Sequence, residues 1–353
     1  MPARPLRVLL LMLCLVALAA PPALAASATL ERIRTTGTIA FAYRDGAAPF
    51  SFADRDGRVR GYSAELCTAI AASIQRSLEL PALKIVWHPV DAANRLDAVA
   101  SGRADAECGT TTITLSRMEK VDFSVPIFVD GGSVLVRAKA KIATLANLNG
   151  KKIAVIAGTT TEQSLVAALN LIGAQATLTP VTDSAQGAAL LASGKVDGYA
   201  GDRIVLASLK TRMPAGRDLE LIAADFSYEP YGIVVRRDDP DFRLAVNRAL
   251  IDLYKHGGID PIFQRWLGPM GRPGMLLHSM FYLMSLPDCY APRRAYTVGL
   301  HRARRIRGRA TAVRRLRFLR HGAVDPDDLR ARAVDAPRHG DAVDGDAVRR
   351  DDR

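Results

Sequence analysis

Several things are scarce in this chain, and each scarcity argues against a class of function. No GxGxxG and no GxxxxGK[ST] run occurs, so there is neither a dinucleotide fingerprint nor a Walker phosphate loop. The six His are scattered and the four Cys show no close Cys/His spacing, which argues against a zinc site; no metal and no other cofactor is expected. Beyond the N-terminus no apolar stretch is long enough to cross a bilayer, so nothing suggests an integral membrane protein. Lys and Glu are missing altogether from Cys289 to Arg353, a stretch of 65 residues that carries 17 Arg and nine Asp and no sustained apolar period.

Residues 1–25 read MPARPLRVLLLMLCLVALAAPPALA: Arg4 and Arg7, an apolar run from Val8 to Ala20, a Pro21-Pro22 break, then small residues. That order is a secretory signal peptide, which predicts a mature chain from Ala26 in the periplasm. Cys14 follows Leu13, where lipid attachment normally needs a small residue, so a lipid anchor is not expected. Residues 289–353 are also set aside. Ala, Arg, Asp, Gly and Val without Lys or Glu is what GC-rich DNA yields in an unintended frame, and the competing reading is a basic tail for nucleic acid or anionic membrane. The formal charge of +12 is a property of these ends, because the tail supplies +8 and the leader +2. No nucleic-acid partner is expected of the body.

The body alternates strand-like and helical runs, an α/β order long enough for two modest domains. GTIAFAY and KIVWHPV read as strands, and SAELCTAIAASIQRSL reads as a helix with Leu66, Ile70 and Ile74 four apart and Ser63 placed to cap it. In an oxidising compartment Cys67 and Cys108 could pair, with two lone buried thiols as the alternative. Two echoes run through this body. ASGRADA (100–106) and ASGKVDG (192–198) each close a helix and start a strand, which suggests two lobes of similar architecture. Between them GGSVLVRAK and YGIVVRRDD read as Gly-flanked connectors. If both cross, lobe 1 is 26–130 plus 234–288, lobe 2 is 131–233, and the two crossings form a hinge.

The second echo is GTTT, at Gly109 to Thr112 and again at Gly158 to Thr161. Each lies where a strand gives way to a turn or helix, so Thr hydroxyls and free N–H groups form a corner suited to an anion or a carbonyl oxygen. The plain alternative is that the Thr only caps a helix. Arg117 lies five residues past Thr112, and a planar guanidinium beside such a corner can clamp a carboxylate. Asp202 offers the opposite charge for an ammonium, and an α-amino acid requires both.

FAYRDGAAPFSF, AANRLDAVASGRADAECGTTTITLSRMEKVDFSVPIF, GKKIAVIAGTTTEQ, GYAGDRIVLA and YGIVVRRDDPDF together resemble the extracellular solute-binding proteins of polar amino-acid ABC importers, within them the glutamate/aspartate-binding branch. The resemblance covers residues 28–288 and implies a type II periplasmic-binding-protein fold: two α/β lobes, two hinge crossings and a ligand cleft between the lobes. It implies a monomer that binds one free amino acid and hands it to a membrane ABC permease. By position, Arg117 would pair with the ligand α-carboxylate, helped by Thr112 and the Thr159-Thr160 corner; Asp202 and Thr110 would meet the α-ammonium; Arg44 and Arg95 would face the side chain and favour a dicarboxylate. One position departs from the pattern. Ser184 stands where acidic-amino-acid binders often place His, which leaves glutamine and asparagine as alternatives. An enzyme on the same fold, dehydratase-like, is the rival class. No His lies near either tetrad, and Glu107 and Glu162 have no obvious partner in sequence, so no catalytic residue is expected.

Overall fold

The computed structural model describes residues 27–214 and 216–287; the leader and the Arg-rich tail lie outside them. In chain order the strands are β1 (Thr38–Arg44), β2 (Phe52–Ala53), β3 (Val59–Arg60), β4 (Lys84–Val90), β5 (Ala106–Glu107), β6 (Asp122–Phe123), β7 (Phe128–Asp130), β8 (Gly132–Arg137), β9 (Lys152–Ile156), β10 (Thr177–Val181), β11 (Gly198–Asp202), β12 (Leu219–Leu221), β13 (Glu229–Tyr231) and β14 (Val234–Val235). The helices are α1 (Ala28–Thr36), α2 (Tyr62–Ser77), α3 (Arg95–Ala100), α4 (Leu115–Met118), α5 (Thr160–Leu171), α6 (Ser184–Ala192), α7 (Arg203–Arg212), α8 (Pro240–Lys255), α9 (Ile259–Trp266) and α10 (Met275–Met284).

Two five-stranded sheets share one plan. The first runs β4-β1-β5-β14-β6 and the second β10-β9-β11-β8-β12. In each, the first three strands are parallel and the fourth is antiparallel to its neighbours. The ASG echoes fall at equivalent places: one joins α3 to β5, the other α6 to β11, the middle strands of the two sheets. Between the sheets β7 pairs antiparallel with β13, setting Asp130 opposite Glu229 and Phe128 opposite Tyr231. The segments read from sequence as connectors, 131–139 and 231–239, thus contribute β8 and β14 to the sheets themselves, and the paired stretch between the sheets starts a few residues earlier.

Parallel strands are covered on both faces, so their side chains must satisfy a core on each side. In the second sheet Val134, Val136, Ile153 and Val155 enter one apolar cluster, while Leu135, Ala154 and Ile156 enter the cluster on the opposite face, the period-2 alternation of a strand. The first sheet rests on a larger core in which Leu66, Ile70 and Ile74 of α2 meet Phe242, Val246 and Leu250 of α8.

Two sequence expectations are settled here. The cap on α2 is corrected: Gly61 precedes the helix, Tyr62 opens it, and no side chain caps it. The Ser63 hydroxyl instead donates to the carbonyl of Gly109, 2.8 Å away and 46 residues on, because the helix N-terminus abuts the first tetrad. Cys67 and Cys108, left open between a bond and two thiols, form a disulfide with Cα atoms 6.3 Å apart.

Candidate functional site

The carboxyl ends of the parallel strands converge on one cleft, the usual place for a ligand in an open α/β sheet. Arg44 ends β1, the first tetrad follows β5, the second follows β9, Ser184 opens the helix after β10, and Asp202 ends β11. The cleft is tight: its cavity volume is about 20 Å³, and the whole space between its walls, open solvent at the mouth included, is about 420 Å³. Seven of the nine residues singled out from sequence line it: Arg44, Arg95, Thr110, Thr159, Thr160, Ser184 and Asp202. Thr112 and Arg117 adjoin it. The Thr112 hydroxyl is 3.1 Å from that of Thr160, and Arg117 Nη1 donates to the Thr112 carbonyl at 2.8 Å.

The two tetrads therefore touch, and they are built differently. In the first, a Cβ on Gly109 would lie 2.0 Å from Glu107 Oε1, so glycine is required for the buried carboxylate to pack there. Thr110 accepts from Arg44 Nη1 at 3.1 Å. Ile113 N donates to Pro230 O and Gly232 N to Thr111 O, stitching this loop to the segment around β13. In the second, Gly158 has φ +71°, a left-handed conformation with open space around it. Thr159 caps α5: its hydroxyl donates to Ile156 O and accepts from Glu162 N, while Glu162 Oε2 accepts from Gly158 N. The capping alternative is thus right for Thr159, and Thr159, Thr160 and Thr161 at the start of the helix line the cleft.

Charge is concentrated here. Arg95 is 3% exposed, and its Nε and Nη1 have no hydrogen-bond partner. Burial, and then repulsion from Arg44, lowers its pKa to about 9 against the opposing pull of Glu107. Arg117 is also lowered by burial, with Glu229, Glu107 and Asp202 holding it up. Glu107, fully buried with neither carboxylate oxygen hydrogen-bonded, is raised by burial and pulled back mainly by Arg95. On the other wall Asp202 Oδ1 accepts from Thr161 Oγ1 at 3.3 Å. Burial pushes Tyr199, beside Ser184, up to about 12. Unpartnered buried N–H groups are costly, about 1–3 kcal/mol each, so guanidinium donors on one wall and a carboxylate on the other suit a zwitterion that carries an extra acceptor. Among the described residues no His, Cys, Asp and Glu cluster could hold a metal.

Glu229 and Asp130 escaped the sequence reading. Glu229 is 1% exposed; its Oε2 accepts from Thr112 Oγ1 at 2.5 Å and Thr160 Oγ1 at 2.9 Å. Asp130 is raised to about 8 by burial and then by Asp202, although Gly131 N, Ile204 N and the Tyr231 hydroxyl donate to it. The available signal was an acid just ahead of each expected connector, in FVDGG and YEPYG, where apolar strand residues would be ordinary.

Residues 39–269 match the bacterial extracellular solute-binding proteins, family 3. The chain belongs to that family. A relative, the L-glutamate/L-aspartate-binding protein of Pseudomonas aeruginosa, is 32% identical over 246 residues, covering 67% of this chain and 79% of its own length. Among solved structures, an ancestral arginine-binding protein bound to glutamine superposes with a TM-score of 0.60 at 29% identity, over 66% of this chain and 98% of that one. An ancestral amino acid-binding protein, a precursor of cyclohexadienyl dehydratase, superposes with a TM-score of 0.58 at 29% identity, over 68% of this chain and 99% of that one. The two-lobed architecture read from the sequence is the architecture of these solute-binding proteins.

Proposed function

We propose that this family 3 protein binds one free acidic amino acid, glutamate or aspartate, between lobe 1 (26–130 plus 234–288) and lobe 2 (131–233), and delivers it in the periplasm to a membrane ABC permease. The observation that carries the reading is Arg95: buried, lining the cleft and holding two unpartnered guanidinium nitrogens beside Arg44, it asks for an anionic side chain. Arg117 with the first N–H groups of α5 takes the α-carboxylate, and Asp202 on the far wall takes the α-ammonium, with Thr110 adding an acceptor. The binding protein of Pseudomonas aeruginosa supports the acidic preference. Closure on the ligand gives the permease a shape by which to tell loaded from empty protein.

Ser184 supports a second reading, glutamine or asparagine, because a hydroxyl brings no positive charge to the side-chain end of the cleft. An enzyme on this fold is a less favoured class, since the matching family and the Pseudomonas aeruginosa relative are binding proteins, and the one carboxylate found beside the Thr112 and Thr160 hydroxyls, Glu229, is 1% exposed; the protein acts as a monomeric binder without turnover. Isothermal titration calorimetry on ligand-stripped protein with glutamate, aspartate, glutamine, asparagine, lysine and leucine separates these readings. The expected result is tight binding of the two dicarboxylates alone. Binding of the amides alone moves the assignment to the second reading; a mass-shifted product on incubation brings back the enzyme, and no binding at all overturns the proposal.

A further inference from the structure

Glu229 accepts a hydrogen bond from each tetrad, and it does so from the strand pair between the sheets. It is 1% exposed on β13, opposite Asp130 of β7. Its Oε2 accepts from Thr112 Oγ1, after β5 of the first sheet, and from Thr160 Oγ1, at the first turn of α5 on the second. Its Oε1 accepts from Ser227 Oγ at 2.9 Å, and Ser227 Oγ in turn accepts from Gly132 N at the start of β8. One carboxylate thus joins the two lips of the cleft to the strand about which they would swing.

From this geometry we infer that Glu229 is a positioning residue, a latch whose bond to Thr160 holds the lobes closed and sets how slowly a bound amino acid escapes. The bond that breaks on opening can be named. Thr112 travels with β13, because Ile113 N donates to Pro230 O and Gly232 N to Thr111 O on either side of it. Thr160 belongs to the other sheet's α5 and has no such tie, so parting the lobes withdraws its hydroxyl from Glu229. A carboxylate that loses a hydroxyl donor while still partly desolvated is destabilised, and charge-assisted bonds are the stronger kind. The latch also orients the lips. With both hydroxyls turned to Glu229, what they present to a ligand carboxylate is Arg117 and the N–H groups of the first turn of α5.

The inference rests on the proposal that an amino acid is held between the lobes, but its first test needs no ligand. Single-molecule energy transfer between dyes at exposed positions of the two lobes, Arg76 and Leu171, measures the closed population of the full chain, and stopped-flow fluorescence measures ligand rates. In the ligand-free protein Glu229→Ala should lower the closed-to-open ratio about tenfold. With amino acid bound, the dissociation rate should rise by a similar factor while association changes less than about twofold. Thr160→Val, which keeps the size of the side chain and leaves β13 intact, should act in the same direction, and the double variant should be no worse than Glu229→Ala alone. An unchanged closed population in both variants, or effects that multiply in the double variant, overturns the latch. If Glu229→Ala does not fold, Thr160→Val decides the matter by itself. If no amino acid binds wild type, the transport reading fails, and the ligand-free populations still judge the latch.

Discussion

The two GTTT tetrads have the same letters and opposite foundations. The tetrad at 109–112 is held from afar: a disulfide from Cys67 fixes Cys108 beside it, Ser63 donates to Gly109 O, and Thr112 binds Glu229, at sequence separations of 41, 46 and 117. The tetrad at 158–161 is largely held by its own neighbourhood, with Thr159 bonded to Ile156 and Glu162 and Gly158 N bonded to Glu162, none more than four residues away. Even the glycines differ. Gly109 leaves room for a buried carboxylate, whereas Gly158 supplies a backbone angle. A repeated motif in a two-lobed protein therefore need not be a repeated structure; here it marks two surfaces that meet at one cleft.

The comparison can be broken in several ways, beginning with the largest effect. Arg117→Ala removes the cation hydrogen-bonded to the first tetrad and should weaken amino-acid binding by about a thousandfold in calorimetry; a loss below tenfold would mean that the clamp is misassigned. Reducing the Cys67–Cys108 disulfide, which closes a loop with a sequence separation of 41, should cost about 4 kcal/mol in urea denaturation. Hydrogen exchange after reduction should quicken at 109–112 well before 158–161. Gly109→Ala should cost about 3 kcal/mol and most of the binding, because the new methyl must displace Glu107.

A pH test probes the strand pair between the sheets. Asp130 has a folded-state pKa raised from 3.8 to about 8, so the folded chain holds that proton more tightly than the unfolded one. Its contribution is favourable at low pH and is lost as pH rises from about 4 to about 8, with a slope near 1 kcal/mol per pH unit inside the window. Asp130→Asn should flatten that slope in denaturation curves taken at pH 5 and pH 8. An identical slope in wild type and variant would show that Asp130 does not titrate there. The smallest effects belong to the second tetrad. Gly158→Ala should cost about 1 kcal/mol from backbone strain and Thr159→Ala about 1 kcal/mol from the lost cap, with binding retained in the first case.

Local rules explain what could be read in advance. The strands at 38–44 and 84–90, the helix over 62–77, the cap at Thr159 and the echo of the ASG segments depend on periodicity, caps and glycine, which act within one turn or one strand. Ser63 misled that reading because a Ser at a helix start caps by default, and only the arrival of Gly109 gave its hydroxyl another acceptor. The stretches read as connectors, 131–139 and 231–239, hold β8 and β14, whose pairing with strands distant in sequence no local pattern encodes. The nine candidate ligand residues came from the order of motifs along the chain, and the fold brings seven of them to a single cleft.

The sequence by itself determined the α/β alternation, the existence of two similar sheets, the local build of the second tetrad and the family to which the chain belongs, because these depend on residue order over short distances. Only the tertiary structure decided that Cys67 meets Cys108, that Glu107 lies unpartnered among three arginines, and that Glu229 grips both tetrads at once. Those contacts join residues 41 to 117 positions apart, or depend on burial that no local pattern encodes, and a carboxylate changes from a solvated charge to a structural tie only when the packing around it excludes water.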